Sequence, residues 1–216
     1  MSATVPPTPR TRIRRIAERG RYDADTVREI VDAAWHCHVA FVDEGGVHCI
    51  PMACWRSGDA LYLHGSNGSR MLKVLAGGAP VCVTITHLDG LVLARSAFHH
   101  SMNYRSAVIY GQCTRVPEED KPSLLDQFMR HIAPGRESQV RPPDPNELAA
   151  TLVLRLPLTE AAAKIREGGP KDDDADMSRD VWAGVLPLHL AHLPAVRDPA
   201  CSIEPPGYVR EWTANS

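Results

Sequence analysis

Residues 38–64, HVAFVDEGGVHCIPMACWRSGDALYLH, decide the fold. His38 to Val42 is a short apolar run and Asp43-Glu44-Gly45-Gly46 is a turn. Val47 to Trp55 then reads as a second strand, with Ile50, Met52 and Cys54 on one face. Ser57-Gly58-Asp59 turns the chain again into a third strand, Ala60 to His64. Strands joined by such short turns must be antiparallel, because a parallel neighbour needs a long crossover.

Upstream, Tyr22 to Trp35 reads as a helix that Asp23 or Asp25 can cap, with Val27, Ile30, Val31 and Ala34 along one face. Downstream, the loop Gly65-Ser66-Asn67-Gly68-Ser69 runs into a short helix, Arg70 to Leu75, which Gly77-Gly78 and Pro80 stop. Two strands, Val81 to His87 and Leu91 to Phe98, flank Asp89-Gly90, and a long strand spans about Tyr104 to Val116. Pro117 and Glu118-Glu119-Asp120 introduce a helix bearing Leu124, Leu125, Phe128, Met129 and Ile132. A Pro-rich loop covers residues 134–147, and Thr151 to Leu158 is a last clear strand. Six or seven strands in hairpin order predict a mainly β chain with peripheral helices, its antiparallel sheet closing into a barrel that removes its edges. Neither GxGxxG nor GxxxxGK[ST] occurs, which disfavours a doubly wound parallel sheet.

The chain has 216 residues, 44% of them hydrophobic and 23% charged, enough to bury a core without disulfide or metal staples. A formal charge of −2 excludes the dense positive field of a non-specific nucleic-acid binder. No apolar run approaches the roughly 20 residues that cross a bilayer, so no membrane partner is expected. The start, MSATVPPTPRTRIRR, lacks an apolar signal core, and none of the six cysteines forms a CxxC pair. Reduced thiols and a cytoplasmic location are the expectation. Residues 1–21 are read as a flexible basic arm, with six Arg against one Glu over residues 10–21. Residues 22–190 are read as the barrel domain and 191–216 as a C-terminal extension.

The chemistry concentrates at Tyr62 to Lys73. There a strand ends, two glycines free the backbone and a helix begins. Its unpaired N–H groups, the hydroxyls of Ser66 and Ser69, and the cations Arg70 and Lys73 together suit a dianionic phosphate. The competing reading is a plain helix cap with both cations in water. His99-His100-Ser101-Met102-Asn103-Tyr104-Arg105-Ser106 is too polar for core and too rich in planar side chains for a simple turn. Trp182 precedes Ala183-Gly184 after a charged stretch, and is either a site residue or an aromatic closing the barrel end. Arg105 can equally be a strand residue paired with an acid.

These segments, in order, resemble the flavin-binding split barrels related to pyridoxamine 5'-phosphate oxidase. The nearest subgroup is the nitroimidazole-resistance-like, flavin-nucleotide-binding proteins. The resemblance rests on Ile50-Pro51-Met52, Leu61 to Ser66, Asn103 to Ser106 before a strand ending in Gly111, His131, Pro134-Gly135-Arg136, Lys164 and Trp182-Ala183-Gly184. It implies a six-stranded antiparallel split β-barrel and a homodimer with FMN in clefts at the interface. By resemblance, Ile50, Pro51 and Met52 run along the flavin ring. His64, Gly65, Ser66, Ser69 and Arg70 hold the ribityl phosphate, with Lys73 added from the helix-dipole argument. Asn103, Arg105 and Ser106 border the cleft, and Trp182 approaches from the other subunit. The implied function is an FMN-dependent oxidoreductase that takes hydride from a reduced nicotinamide and passes it to a small acceptor.

No Arg stands beside His189 in Leu186 to Leu190, where the oxidase carries its Arg-x-His substrate signature, so vitamin B6 phosphate is not the expected substrate. The alternative is a non-catalytic binder of flavin, deazaflavin or haem, the last through His99-His100. No metal site is expected. Trp35-His36-Cys37-His38, His48-Cys49 and Cys54 lack paired-ligand spacing, and His36 is expected to end a helix. No GxSxG elbow points to a hydrolase.

Overall fold

The computed structural model describes residues 5–215. Its helix α1, Ala24–Asp32, starts where Asp23 accepts a hydrogen bond from Thr26 N and buries Val27, Ile30 and Val31. It ends before Trp35. The Trp35 carbonyl already accepts from Cys54 N at 3.2 Å, and His36 opens β2 (His36–Asp43). β2, β3 (Gly46–Ser57) and β4 (Ala60–Ser66) form the two expected hairpins. The helix α2 (Arg70–Ala76) follows.

The expected pair of strands flanking Asp89-Gly90 is one strand, β5 (Pro80–Leu93). Asp89-Gly90 makes a register shift against β6 (Ser101–Gln112), not a hairpin. A Cβ on Gly90 would meet Leu186 O at 3.0 Å, so glycine there lets β10 (Gly184–Pro187) lie against β5. The polar stretch Ser101 to Ser106 therefore belongs to β6 and is not a loop.

The antiparallel sheet has ten strands among the described residues, where six were expected. Two of the additions, β1 (Gly20–Arg21) and β7 (Thr114–Arg115), are two residues long and carry no periodicity. β9 (Ala161–Arg166), which follows β8 (Thr151–Pro157) along the chain, escapes notice because Ala161-Ala162-Ala163 favours helix by intrinsic preference. Strand order is β1-β9-β6-β5-β2-β3-β4-β8-β7, with β10 on β5. The sheet curls until β6 meets β8 across the interior, where a Cβ on Gly111 would stand 2.9 Å from Leu156 Cδ1. Val39, Leu63, Leu72, Ile109 and Leu154 fill that interior.

A second apolar cluster lies outside the barrel. Trp55, Tyr62 and Val153 point away from the interior and are covered by α3 (Lys121–Ile132) through Leu124, Leu125 and Phe128. β4 is thus buried on both faces along Ala60 to Leu63. Residues 134–147 run past the end of α3 into α4 (Pro145–Ala150), which Asp144 and Glu147 close with a reciprocal capping box.

The described segments on either side of the barrel pack back onto it. Glu160 accepts from Thr8 Oγ1 and from Arg10 Nε at 2.7 Å, Thr11 is buried, and β1 pairs with β9. The C-terminal segment returns through α5 (Gly207–Arg210) to stack His192 on Trp212 (ring centroids 4.0 Å apart), and both rings on Trp35. No helix among the described residues is long and apolar enough to cross a membrane.

Candidate functional site

The junction of β4 and α2 gathers Ser66, Ser69 and Arg70 in one tight loop. Asn67 ties that loop to α4 twice, its N–H to Ala150 O (2.8 Å) and its Nδ2 to Ala149 O (2.9 Å). Gly65 lets the loop close, because a Cβ there would stand 3.0 Å from Leu72 Cδ1. Ser69 is the cap of α2, but its Oγ accepts from Leu72 N at a long 3.4 Å. Ser66 Oγ accepts from Gly68 N at 3.1 Å. Arg70 Nη1 stands 3.2 Å from Asp43 Oδ2, with its side chain 61% exposed. Asp43 is held below the usual carboxylate range, first by His48 and then by Gly45 N–H and the Arg70 charge. Lys73 is exposed one turn along α2.

The other sequence-predicted residues lie elsewhere. Ile50 and Met52 turn into the barrel and pack on its core, so only Pro51 of that triplet faces outward. Asn103, Arg105 and Ser106 sit on β6, which β5, β2 and β3 separate from β4. Asn103 is buried, accepts from Arg166 Nη1 and donates Nδ2–H to Gly168 O at 3.2 Å. Arg105 makes a two-point ion pair with Asp89, Nε to Oδ2 at 3.0 Å and Nη2 to Oδ1 at 2.8 Å. Ser106 Oγ donates to Lys164 O. Trp182 is not a core aromatic. It is 62% exposed, and its ring folds over Gly184, where a Cβ would meet it at 2.9 Å.

His36 and His38 both stand in β2 and share its outer face, their rings 5.8 Å apart, contrary to the expectation that His36 ends a helix. Among the described residues no three His, Cys, Asp or Glu side chains group as a metal site.

His64 takes a different position from the phosphate loop. Its ring lies under α3, 4.4 Å from the Phe128 centroid and edge-on to Trp55 at 5.6 Å. It lines a cavity of about 540 Å³ walled by Leu125, Phe128, Met129, Val140 and Pro142, with Arg141 at the edge. Nδ1 is buried with no hydrogen-bond partner, and burial lowers the pKa of the ring. Sequence reasoning missed this cavity, because it joins a strand to a helix and a loop more than sixty residues away. The available signal was Pro142-Pro143 after an apolar helix face, which stiffens a wall that short side chains alone cannot form.

A family profile described as Pyridoxamine 5'-phosphate oxidase matches residues 23–165. No curated protein sequence matches. Among solved structures, the flavocytochrome Anf3 from Azotobacter vinelandii is 35% identical, with a TM-score of 0.91 over 96% of this chain and 98% of that one. An FAD and haem binding protein from Mycobacterium smegmatis is 35% identical, with a TM-score of 0.87 over 90% of this chain and 97% of that one. A structure described as a 5-nitroimidazole antibiotic resistance protein from Bacteroides thetaiotaomicron is 24% identical, with a TM-score of 0.55 over 66% of this chain and 84% of that one, a likeness of fold.

Proposed function

Because the chain belongs to the pyridoxamine 5'-phosphate oxidase family, we propose that it is a flavin-dependent oxidoreductase that also carries a haem. One observation carries this reading. The flavocytochrome and the FAD and haem binding protein match 96% and 90% of this chain, so the likeness extends beyond the family-wide barrel at residues 23–165. The second of these favours FAD over the FMN that the sequence suggested.

The residues present fit both groups. For the flavin, Arg70 is exposed enough to leave Asp43 for a phosphate, and the Ser66 and Ser69 hydroxyls flank it in the same loop. Lys73 adds a second cation one turn on. For the haem, a cavity of about 540 Å³ with one imidazole and the apolar Leu125, Phe128, Met129 and Val140 in its wall, and with Asp126, Glu137, Arg141 and Glu147 as its charged lining, falls within the usual range of cofactor pockets.

A flavin supplies hydride acceptance and single-electron release, and the chain positions and shields it. Pro51 presents the outer face of β3 to the ring. The Asp89 carboxylate matches the Arg105 charge, so Arg105 orients a polar edge without a free cation's full pull. A second copy of the chain brings the β6 residues and Trp182 to the Ser66–Arg70 loop, which one protomer holds three strands apart. In support, Leu186, Leu91 and Met102 are paired in register across β10, β5 and β6 and leave an exposed apolar row. The electron donor is a reduced nicotinamide and the acceptor a small molecule.

The test is the visible spectrum of the purified protein, with mass spectrometry of released ligands and anaerobic addition of NADH or NADPH. Flavin and Soret bands that a nicotinamide reduces support the reading. A colourless protein that takes up neither flavin nor hemin overturns it.

A further inference from the structure

Resting on the haem half of that reading, we infer that the haem sits in the cavity between β4 and α3, with His64 Nε2 as its axial ligand. Four observations converge on His64. Its ring is wedged between Trp55 and Phe128, which fix its plane. Its Nδ1 is sealed without a partner and the ring makes no other hydrogen bond, so Nε2 is the ring nitrogen left open to the cavity. No protein group competes for Nε2, so a metal bond there costs the ring no existing hydrogen bond. The third observation is chemical. Burial keeps the ring neutral, the form that ligates iron.

The fourth is size. His36, His38 and His87 line a cavity of about 180 Å³, too small for a porphyrin. The larger cavity of about 750 Å³, along the C-terminal segment, has no histidine in its lining. His131 Nε2 donates to Ala34 O, His99 is half-buried beside Asp173, and His100 lies exposed with Nδ1 on Ser96 O. Apolar Leu125, Met129 and Val140 suit the macrocycle. Asp126, Glu137 and Glu147 also line the His64 cavity, and Arg141, paired with Glu147, is the cation in that lining which a carboxylate tail of a porphyrin can take from its resident acid.

The assignment also fixes a property of the bound iron. Ligating histidines ordinarily donate the far ring N–H to a carboxylate or carbonyl, which raises their basicity. His64 Nδ1 has no such acceptor, so the ligand is a weak donor.

The experiment uses the full chain. Hemin is titrated into wild type, His64→Ala, His64→Gln and His38→Ala, reading the Soret band and haem stoichiometry, with flavin content as the control for folding. His64→Ala and His64→Gln are expected to bind haem at least ten-fold more weakly with a shifted Soret band. Added imidazole is expected to restore the band in His64→Ala, and His38→Ala is expected to match wild type. A wild-type Soret band in either His64 variant that retains flavin overturns the assignment and leaves the haem reading standing, as does loss of the band in His38→Ala alone. A wild-type protein that binds flavin but no hemin overturns both.

Discussion

Gly111 and Leu156 close the barrel from opposite walls, with Leu156 Cδ1 2.9 Å from the place a Gly111 Cβ would take. Leu156 is fully buried, so it has nowhere to retreat. Gly111→Ala is therefore expected to destabilise the fold by about 1–3 kcal/mol, the usual cost of overpacking a full core. Pairing it with Leu156→Val is expected to recover part of that loss. Denaturant midpoints of the two single variants and the double variant decide it; additive losses would mean that the two residues do not meet.

Arg70→Ala is expected to weaken flavin binding by about 1.5–3 kcal/mol, the range for a hydrogen bond to a charged group. The barrel should stay intact, because the Arg70–Asp43 pair is exposed on its cationic side. A flavin titration followed by fluorescence quenching reads the first quantity, and thermal melting the second.

Trp182→Ala is expected to lower flavin occupancy while shifting fold stability by no more than about 0.5 kcal/mol, as for an exposed residue. A large drop in melting temperature with normal flavin content would assign Trp182 to packing.

Acid is expected to release the N-terminal segment before the barrel opens. The Arg10 guanidinium and then the Thr8 hydroxyl hold the Glu160 carboxyl down at about 2. A carboxyl whose folded pKa is depressed contributes its full stabilisation above the unfolded value of about 4.3, and loses it as pH falls toward the folded one. Amide protection factors at residues 8–21, corrected for the intrinsic pH dependence of exchange, should fall as pH drops between those two values and stay constant above them. Protection that changes between pH 5 and 7 would point to another group.

How much of this was legible depended on distance along the chain. The β2–β3–β4 hairpins announce themselves, because Asp43 to Gly46 and Ser57 to Asp59 are turn chemistry between apolar runs. The phosphate loop is equally local. Asp89-Gly90 misleads, since the pair that turns a hairpin also serves a bulge, and only the approach of Leu186 decides between them. β9 hides in a run of alanines. His64 looked like part of the phosphate loop because it is two residues from Ser66. Only α3, packing on Trp55 and Tyr62, shows that its ring belongs to a separate chamber.

The stack of Trp35, His192 and Trp212 places two of the four indoles at one spot on the surface, while Trp55 lies in the second core cluster and Trp182 in solvent. Intrinsic emission therefore samples three separate environments, and undocking the C-terminal segment alone changes half of the emitters. Melting curves followed by indole fluorescence will run ahead of those followed by far-ultraviolet dichroism, and a midpoint taken from fluorescence measures the grip on the tail before it measures the barrel.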